Sequence, residues 1–387
     1  MEFSTKTTQK AIIWLCLAHL VCDIYTGFLN PIMPFIASKL GFSMAIATVI
    51  ISIAHICSSM LQPIFGFFAD NILKRFFIFW GLILLSIFIP LTPNAPTIWL
   101  LIIFMILGSL GGSFFHPQSI GFVNLFSKEN CTNNMGVFMS AGSLGFALGP
   151  LIAALITQVL GLGMLCWTAI PGMLLAGLMF FFVPKLSITE KPIEHKQFLK
   201  SFKDIFACRQ MNYLMIVAMM KSLMTNSCCI LLPFLWKNMG YTPFYIGLAL
   251  FLFVFAGAIG SFLSPKAEEI FGSKTVIYFS MCATCPMLIL FAFTYRLYPA
   301  LSMIIFSIIG FTTMLAQPII MVWAQRALPQ YKSIVAGFIN GFCWGTIALC
   351  MAFLGLTAQN LGIIPVLVGL SIIPILASYF VKFLKDG

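Results

Sequence analysis

Apolar runs of roughly twenty residues or more recur from end to end of the chain, separated by short polar breaks. A run of that length crosses the hydrocarbon of a bilayer as a helix, and the pattern predicts twelve such helices. The first six lie at roughly 11–37, 44–68, 76–92, 98–124, 135–159 and 163–184. The second six lie at roughly 211–236, 244–266, 274–295, 299–323, 334–357 and 362–384. Most breaks are so short that successive helices must be antiparallel neighbours. The stretch 185–210 is the exception, carrying Glu190, Lys191, Glu194, His195, Lys196, Lys200, Lys203 and Asp204, and it divides the chain almost equally. The expected organisation is an all-α polytopic membrane protein: a six-helix bundle over 1–184, a cytoplasmic linker over 185–210, and a second six-helix bundle over 211–387.

Composition fits that picture. Hydrophobic residues make up 61% and charged residues 8%, against about 25% charged in a soluble domain. The net charge of +11 raises the question of nucleic acid, but its placement answers it. With a cytoplasmic amino terminus, all 21 Lys and Arg fall on the cytoplasmic side except Lys39, Lys237, Arg296 and the intramembrane Lys221. This positive-inside asymmetry puts both termini in the cytoplasm and makes the bilayer, not nucleic acid, the macromolecular partner. The 12 cysteines are scattered, mostly within apolar runs, and read as helix-packing residues. Trp99 and Trp236 are expected at the lipid interface.

Of the ten acidic residues, nine sit in or beside polar breaks and only Asp23 lies inside an apolar run. An intramembrane carboxylate is costly and usually faces a bundle interior or a watery cavity. His19 stands four residues earlier, on the same helical face. His116 follows two glycines in the fourth segment, Gly111-Gly112-Ser113-Phe114-Phe115-His116-Pro117-Gln118. Histidine titrates nearest neutral pH, so Asp23, His19 and His116 are the expected proton-coupling residues. The other intramembrane polar and aromatic groups expected to line a substrate cavity are Tyr25, His55, Gln62, Phe114, Gln118, Lys221, Asn226, Gln317, Asn340 and Trp344. At 1.5 Å per residue, Lys221 lies at a depth similar to Asp23. A pairing across the cavity and snorkelling toward the interface are both open to it.

The two halves repeat one another. Leu40-Gly41-Phe42-Ser43 matches Met239-Gly240-Tyr241-Thr242 at an offset of 199 residues, as Pro34-Phe35 matches Pro233-Phe234, Asp70 matches Glu269 and Arg75 matches Lys274. His116-Pro117 matches Gln317-Pro318 at an offset of 201. Two parallel six-helix repeats joined by a linker resemble the major facilitator architecture. The loop Gly66-Phe67-Phe68-Ala69-Asp70-Asn71-Ile72-Leu73-Lys74-Arg75 resembles that superfamily's loop signature. The resemblance implies a conformational latch of Gly66, Asp70, Lys74 and Arg75, with Glu269 as the repeat counterpart of Asp70. Leu73 replaces the usual glycine and Asn71 the usual arginine. The fifth segment, with Gly142, Gly145, Gly149 and Pro150, resembles the helix-5 motif of major facilitator exporters, although a close-packing groove accounts for the same residues. The His19-to-Tyr25 stretch, Leu61-Gln62-Pro63-Ile64-Phe65-Gly66 and Phe115-His116-Pro117 together resemble the fosmidomycin resistance protein family of efflux transporters. In that family an acid follows the His-Pro pair, where this chain has Gln118.

No phosphate-binding GxxxxGK[ST] loop and no nucleophile–base signature is present, so neither ATP use nor enzymatic catalysis is expected. The expectation is a secondary transporter without cofactor, driven by the proton gradient, working as a monomer in a bacterial cytoplasmic membrane and exporting a small, anionic drug or metabolite. Uptake of an organic acid or sugar by proton symport is the alternative, and a non-transporting sensor a third reading.

Overall fold

The computed structural model describes residues 5–65, 68, 76–127, 131–184 and 195–384. Among them are 12 helices long and apolar enough to cross a membrane. They are α1 (Thr8–Leu40), α2 (Met44–Phe65), α3 (Phe76–Asn94), α4 (Ile98–Ser127), α5 (Asn134–Val159) and α6 (Leu162–Phe182), then α7 (Arg209–Asn238), α8 (Pro243–Phe271), α9 (Ser273–Thr294), α10 (Pro299–Ala327), α11 (Ile334–Leu361) and α12 (Ile363–Phe383). The linker contains a further amphipathic helix, His195–Ala207, that the apolar pattern did not predict. The described residues include no strand.

The internal repeat is visible in the turns. Gly41 and Gly240 both adopt positive φ (72° and 83°), and so do Gly161 and Gly362 (102° and 92°). Only glycine takes up that conformation without strain. Ser43 and Thr242, two residues after Gly41 and Gly240, then cap the next helix: Ser43 Oγ accepts from Ile46 N and Thr242 Oγ1 from Tyr245 N.

The tightest seams are built from glycine. On α5, Gly142, Gly145 and Gly149 lie against α1, where a methyl group at position 145 would run into the Leu20 carbonyl and one at 149 into the Ile24 carbonyl. Pro150 on α5 meets Gly247 on α8, and Gly341, Gly345 and Gly355 on α11 receive Ser59, Met60 and Thr48 of α2. Helices α5 and α8, and α2 and α11, thus join the first six helices to the last six. At the face away from the termini the two groups are drawn together. There Ala45 N donates to Gln359 Oε1 (3.1 Å) and Phe244 N to Gln158 Oε1 (3.0 Å), and Lys237 Nζ sits 5.8 Å from the centre of the Phe35 ring. Toward the termini, a groove of about 470 Å³ lies along α1 and α5, lined by Ile12, Cys16, Leu20 and Val137 among others.

Trp99 is 74% exposed as expected, but Trp236 is buried at 1%. It packs edge-on against Tyr245 and Phe306 because α7 is the most enclosed of the spans. We expect Gly145→Leu to lower the melting temperature of the purified protein in detergent, by overpacking worth about 1–3 kcal/mol, while Gly177→Leu, where a side chain meets open space, leaves it within experimental error.

Candidate functional site

Asp23 lies near the middle of α1, about 22 Å along the helix from Thr8. Its two carboxylate oxygens face two histidines. Oδ2 is 3.3 Å from His19 Nε2, and Oδ1 is 3.5 Å from His116 Nε2. The i, i+4 spacing on α1 brings the first histidine over the carboxylate, and α4 delivers the second. The triad is enclosed without being sealed, its side chains being 5% (His19), 16% (Asp23) and 21% (His116) exposed.

The remaining neighbours fix its geometry. His19 Nδ1 is 2.8 Å from the Phe138 carbonyl on α5, and its ring stacks on the Phe138 ring at 4.1 Å. A carbonyl oxygen only accepts, so Nδ1 carries a hydrogen and Nε2 is left to meet Asp23. The pair is an ion pair when His19 is protonated, and α5 holds the ring in place. Gly142, one turn after Phe138, is the surface against which His19 and Asp23 rest; any side chain there would collide with both. Cys22 Sγ lies 4.0 Å from His116 Nε2. The ligand atoms of the triad lie within 4.8 Å of one another. Its two contacts to Asp23 are ion pairs whenever the histidines are protonated.

Other expected site residues are distributed differently. Tyr25, two positions past Asp23, points to the opposite side of α1 and donates to the Thr168 carbonyl (2.5 Å), buried beside Gly172 and Ser86. Gln118 is two positions past His116 and likewise turned away, with its Oε1 accepting from Ile78 N (2.8 Å) in the first turn of α3. An acid at this position would face α3 as Gln118 does, so the departure from the family pattern does not remove a member of the triad. Phe114 stacks edge-on with Phe65 and Phe77. His55 is half-buried on α2, and Gln62 donates to the Ser58 carbonyl (2.8 Å) beside a π-helical turn at Ile56–Met60.

In the last six helices, Lys221 is buried at 2% and not paired with Asp23. Its Nζ points between α7 and α10 to Met314 Sδ at 3.8 Å. Asn226 donates to the Ser222 carbonyl (3.0 Å), and Gln317 Nε2 donates to Asn340 Oδ1 (3.0 Å). Trp344 is half-buried on α11. Gly66, Asp70, Lys74 and Arg75 of the expected latch lie outside the described residues. Glu269 is exposed and pairs with Lys266 of its own helix (3.0 Å). Its neighbour Glu268 instead reaches the start of α9, accepting from Ser273 Oγ at 2.5 Å. Phe138, Cys22 and Glu268 were not singled out from sequence. Phe138 had a usable signal, because it falls in the same helical stripe as Gly142, Gly145 and Gly149.

Comparison with known proteins is consistent with this architecture. The profile of the Major Facilitator Superfamily matches residues 15–353. The chain belongs to that superfamily. It is a multi-pass membrane transporter, not an enzyme. It is 25% identical over 370 residues to the fosmidomycin resistance protein of Escherichia coli (strain K12), covering 90% of this chain and 86% of that protein. Among solved structures it resembles a bacterial homolog of the human lysosomal transporter Spinster, inward-facing and unoccupied, with TM-score 0.73, 15% identity, and coverage of 99% and 98%. A D-xylose–proton symporter matches with TM-score 0.74, 12% identity, and coverage of 98% and 97%. At those identities the superfamily fold is what is shared, and the fold serves several transport modes.

We expect Gln118→Ala to destabilise the protein by about 1–3 kcal/mol, the cost of stranding the Ile78 amide. Gln118→Glu, which keeps an acceptor there, should melt close to wild type in the same detergent.

Proposed function

We propose that the protein is a proton-coupled antiporter that exports a small organic drug or metabolite across a bacterial cytoplasmic membrane. The observation that carries this reading is the placement of the lone intramembrane carboxylate, Asp23, between His19 and His116 at mid-span. A carboxylate set between two imidazoles, with partial access to solvent, is the kind of group a proton-driven cycle requires.

In this cycle Asp23 takes up a proton when the site opens to one side and gives it up on the other. His19 and His116 stabilise the charged form, and α5 carries the change outward because it both accepts from His19 and packs along α1. The two bundles, divided at the linker, rock about the α5–α8 and α2–α11 seams. The contacts that draw the two bundles together at the face away from the termini support a conformation open toward the side that bears them. The lysine and arginine asymmetry supports a cytoplasmic assignment for that side. Export, rather than uptake, is supported by the glycine motif of α5 and by the likeness to the fosmidomycin resistance protein of Escherichia coli. An anionic substrate is supported by the cationic bias that Lys221 and the histidines give the intramembrane region. Gln317 and Asn340, bonded to each other, are polar groups of the second bundle available to orient it. The energy source is the proton gradient, with no cofactor, and one chain suffices.

The test uses everted vesicles energised to an acidic interior, with the pH gradient followed by a quenched dye. Fosmidomycin, then a panel of antibiotics and organic anions, is added in turn. We expect at least one compound to collapse the gradient with wild-type protein and to have no effect above background with Asp23→Asn expressed at the same level. Collapse that persists in Asp23→Asn overturns the assigned proton carrier. Compound uptake along the gradient in right-side-out cells, with no collapse in everted vesicles, would replace export with symport.

A further inference from the structure

The linker helix His195–Ala207 has two unlike sides. On one side Ser201 and Ile205 are fully buried, and Phe202 packs edge-on against Phe338 of α11 at 4.8 Å, while Phe206, at the border of the two sides, touches the Phe338 and Phe342 rings with one edge and leaves the rest of its ring exposed. Asp204 accepts from the Tyr331 hydroxyl at 2.9 Å. That hydrogen bond holds the Tyr331 phenol above its usual range. At its end the helix is tied to α7, with Asn212 Nδ2 donating to the Phe206 carbonyl (2.8 Å), and α7 begins at Arg209 after a single connecting residue. The helix is thus fixed to the second bundle at the level where the spans leave the membrane.

The other side is a continuous arc. At 100° per residue, Phe206, Leu199, Lys203, Ala207 and Lys200 follow one another around about 120° of the helix, and all five are exposed. Leu199 is 55% exposed and Phe206 48%. One edge of the arc is therefore apolar and the other basic. Water alone rewards the lysines and penalises the leucine and phenylalanine. A bilayer interface accommodates both, with apolar side chains dipping toward the acyl chains and ammonium groups at the headgroups.

We propose that this arc is a binding site for anionic phospholipid headgroups of the surrounding bilayer. Lys200 and Lys203 supply the charge complementarity, Leu199 and Phe206 the insertion, and the one-residue connection to α7 keeps the arc at interface depth. The site also has a route to the transport core. Phe202 rests on Phe338, the first residue of the π-helical turn Phe338–Phe342, and that turn faces α2 through Gly341 and Ser59. Headgroup binding therefore braces α11 where the two bundles meet.

The experiment is thermal melting of the purified full chain in neutral detergent, with added phosphatidylglycerol compared with phosphatidylcholine. We expect phosphatidylglycerol to raise the melting temperature of the wild type more than phosphatidylcholine does, and high salt to shrink the difference. K200Q/K203Q should melt like wild type without lipid, because both side chains are exposed, and should lose at least half of the phosphatidylglycerol-specific increment. K200R/K203R should retain it. Equal shifts with the two lipids, as for a surface that takes a soluble partner instead, overturn the proposal. So does an undiminished phosphatidylglycerol increment in K200Q/K203Q. If K200Q/K203Q does not fold, K200Q and K203Q are each read against the same criterion.

Discussion

A carboxylate at the depth of Asp23 can persist only if the protein supplies what water would otherwise provide, and the arrangement of the first six helices follows from that requirement. One histidine comes from the same helix and a second from α4, each within 3.5 Å of an oxygen. Histidine on α1 then needs its other nitrogen satisfied, which the Phe138 carbonyl of α5 does. For α5 to come that near, the residues facing α1 must lack side chains, and the run Gly142, Gly145 and Gly149 provides the approach. A glycine stripe that reads as a packing motif is, at Gly142, also the wall against which His19 and Asp23 rest. Packing and chemistry share the same residues, so any movement of α5 against α1 is felt at Asp23.

The same helix is the joint to the second bundle. Pro150 and Ala154 of α5 lie against Gly247 of α8, within a few turns of the triad. On the other side, α2 and α11 meet along their lengths through Gly341, Gly345 and Gly355, and each carries a π-helical turn there. A π turn frees a backbone carbonyl from the regular ladder. Ser113 of α4 satisfies one, donating to the Cys57 carbonyl at 2.5 Å. Three residues later α4 presents His116. The second seam between the bundles is thus also in register with the triad.

The two halves share turns and caps but not chemistry. His116 reaches Asp23, whereas its repeat counterpart Gln317 bonds Asn340. The second bundle has no intramembrane acid. Its one intramembrane cation, Lys221, is buried against a methionine sulfur. Duplication preserved what closes the fold, and the side chains that handle charge diverged within it.

Sequence alone determined the class, the number of spans and the repeat, because twenty-residue apolar runs and positive-φ glycines are local requirements of a chain in lipid. It also determined that Asp23 and His19 lie side by side, since a spacing of four fixes their common face. His116 could be named from its glycines and proline, but only the packing of α4 on α1 decided that it shares Asp23. Two positions of offset turned Tyr25 and Gln118 away from the site, a rotation of about 200° on a helix that spacing could have revealed once the facing partner was known. Lys221 has the depth for a pairing with Asp23, but depth does not set direction, and the packing of α7 on α10 points it elsewhere. The Phe138 carbonyl has no signature at all, since every residue carries one. Which backbone oxygen meets a histidine more than a hundred residues away is a property of the assembled helices.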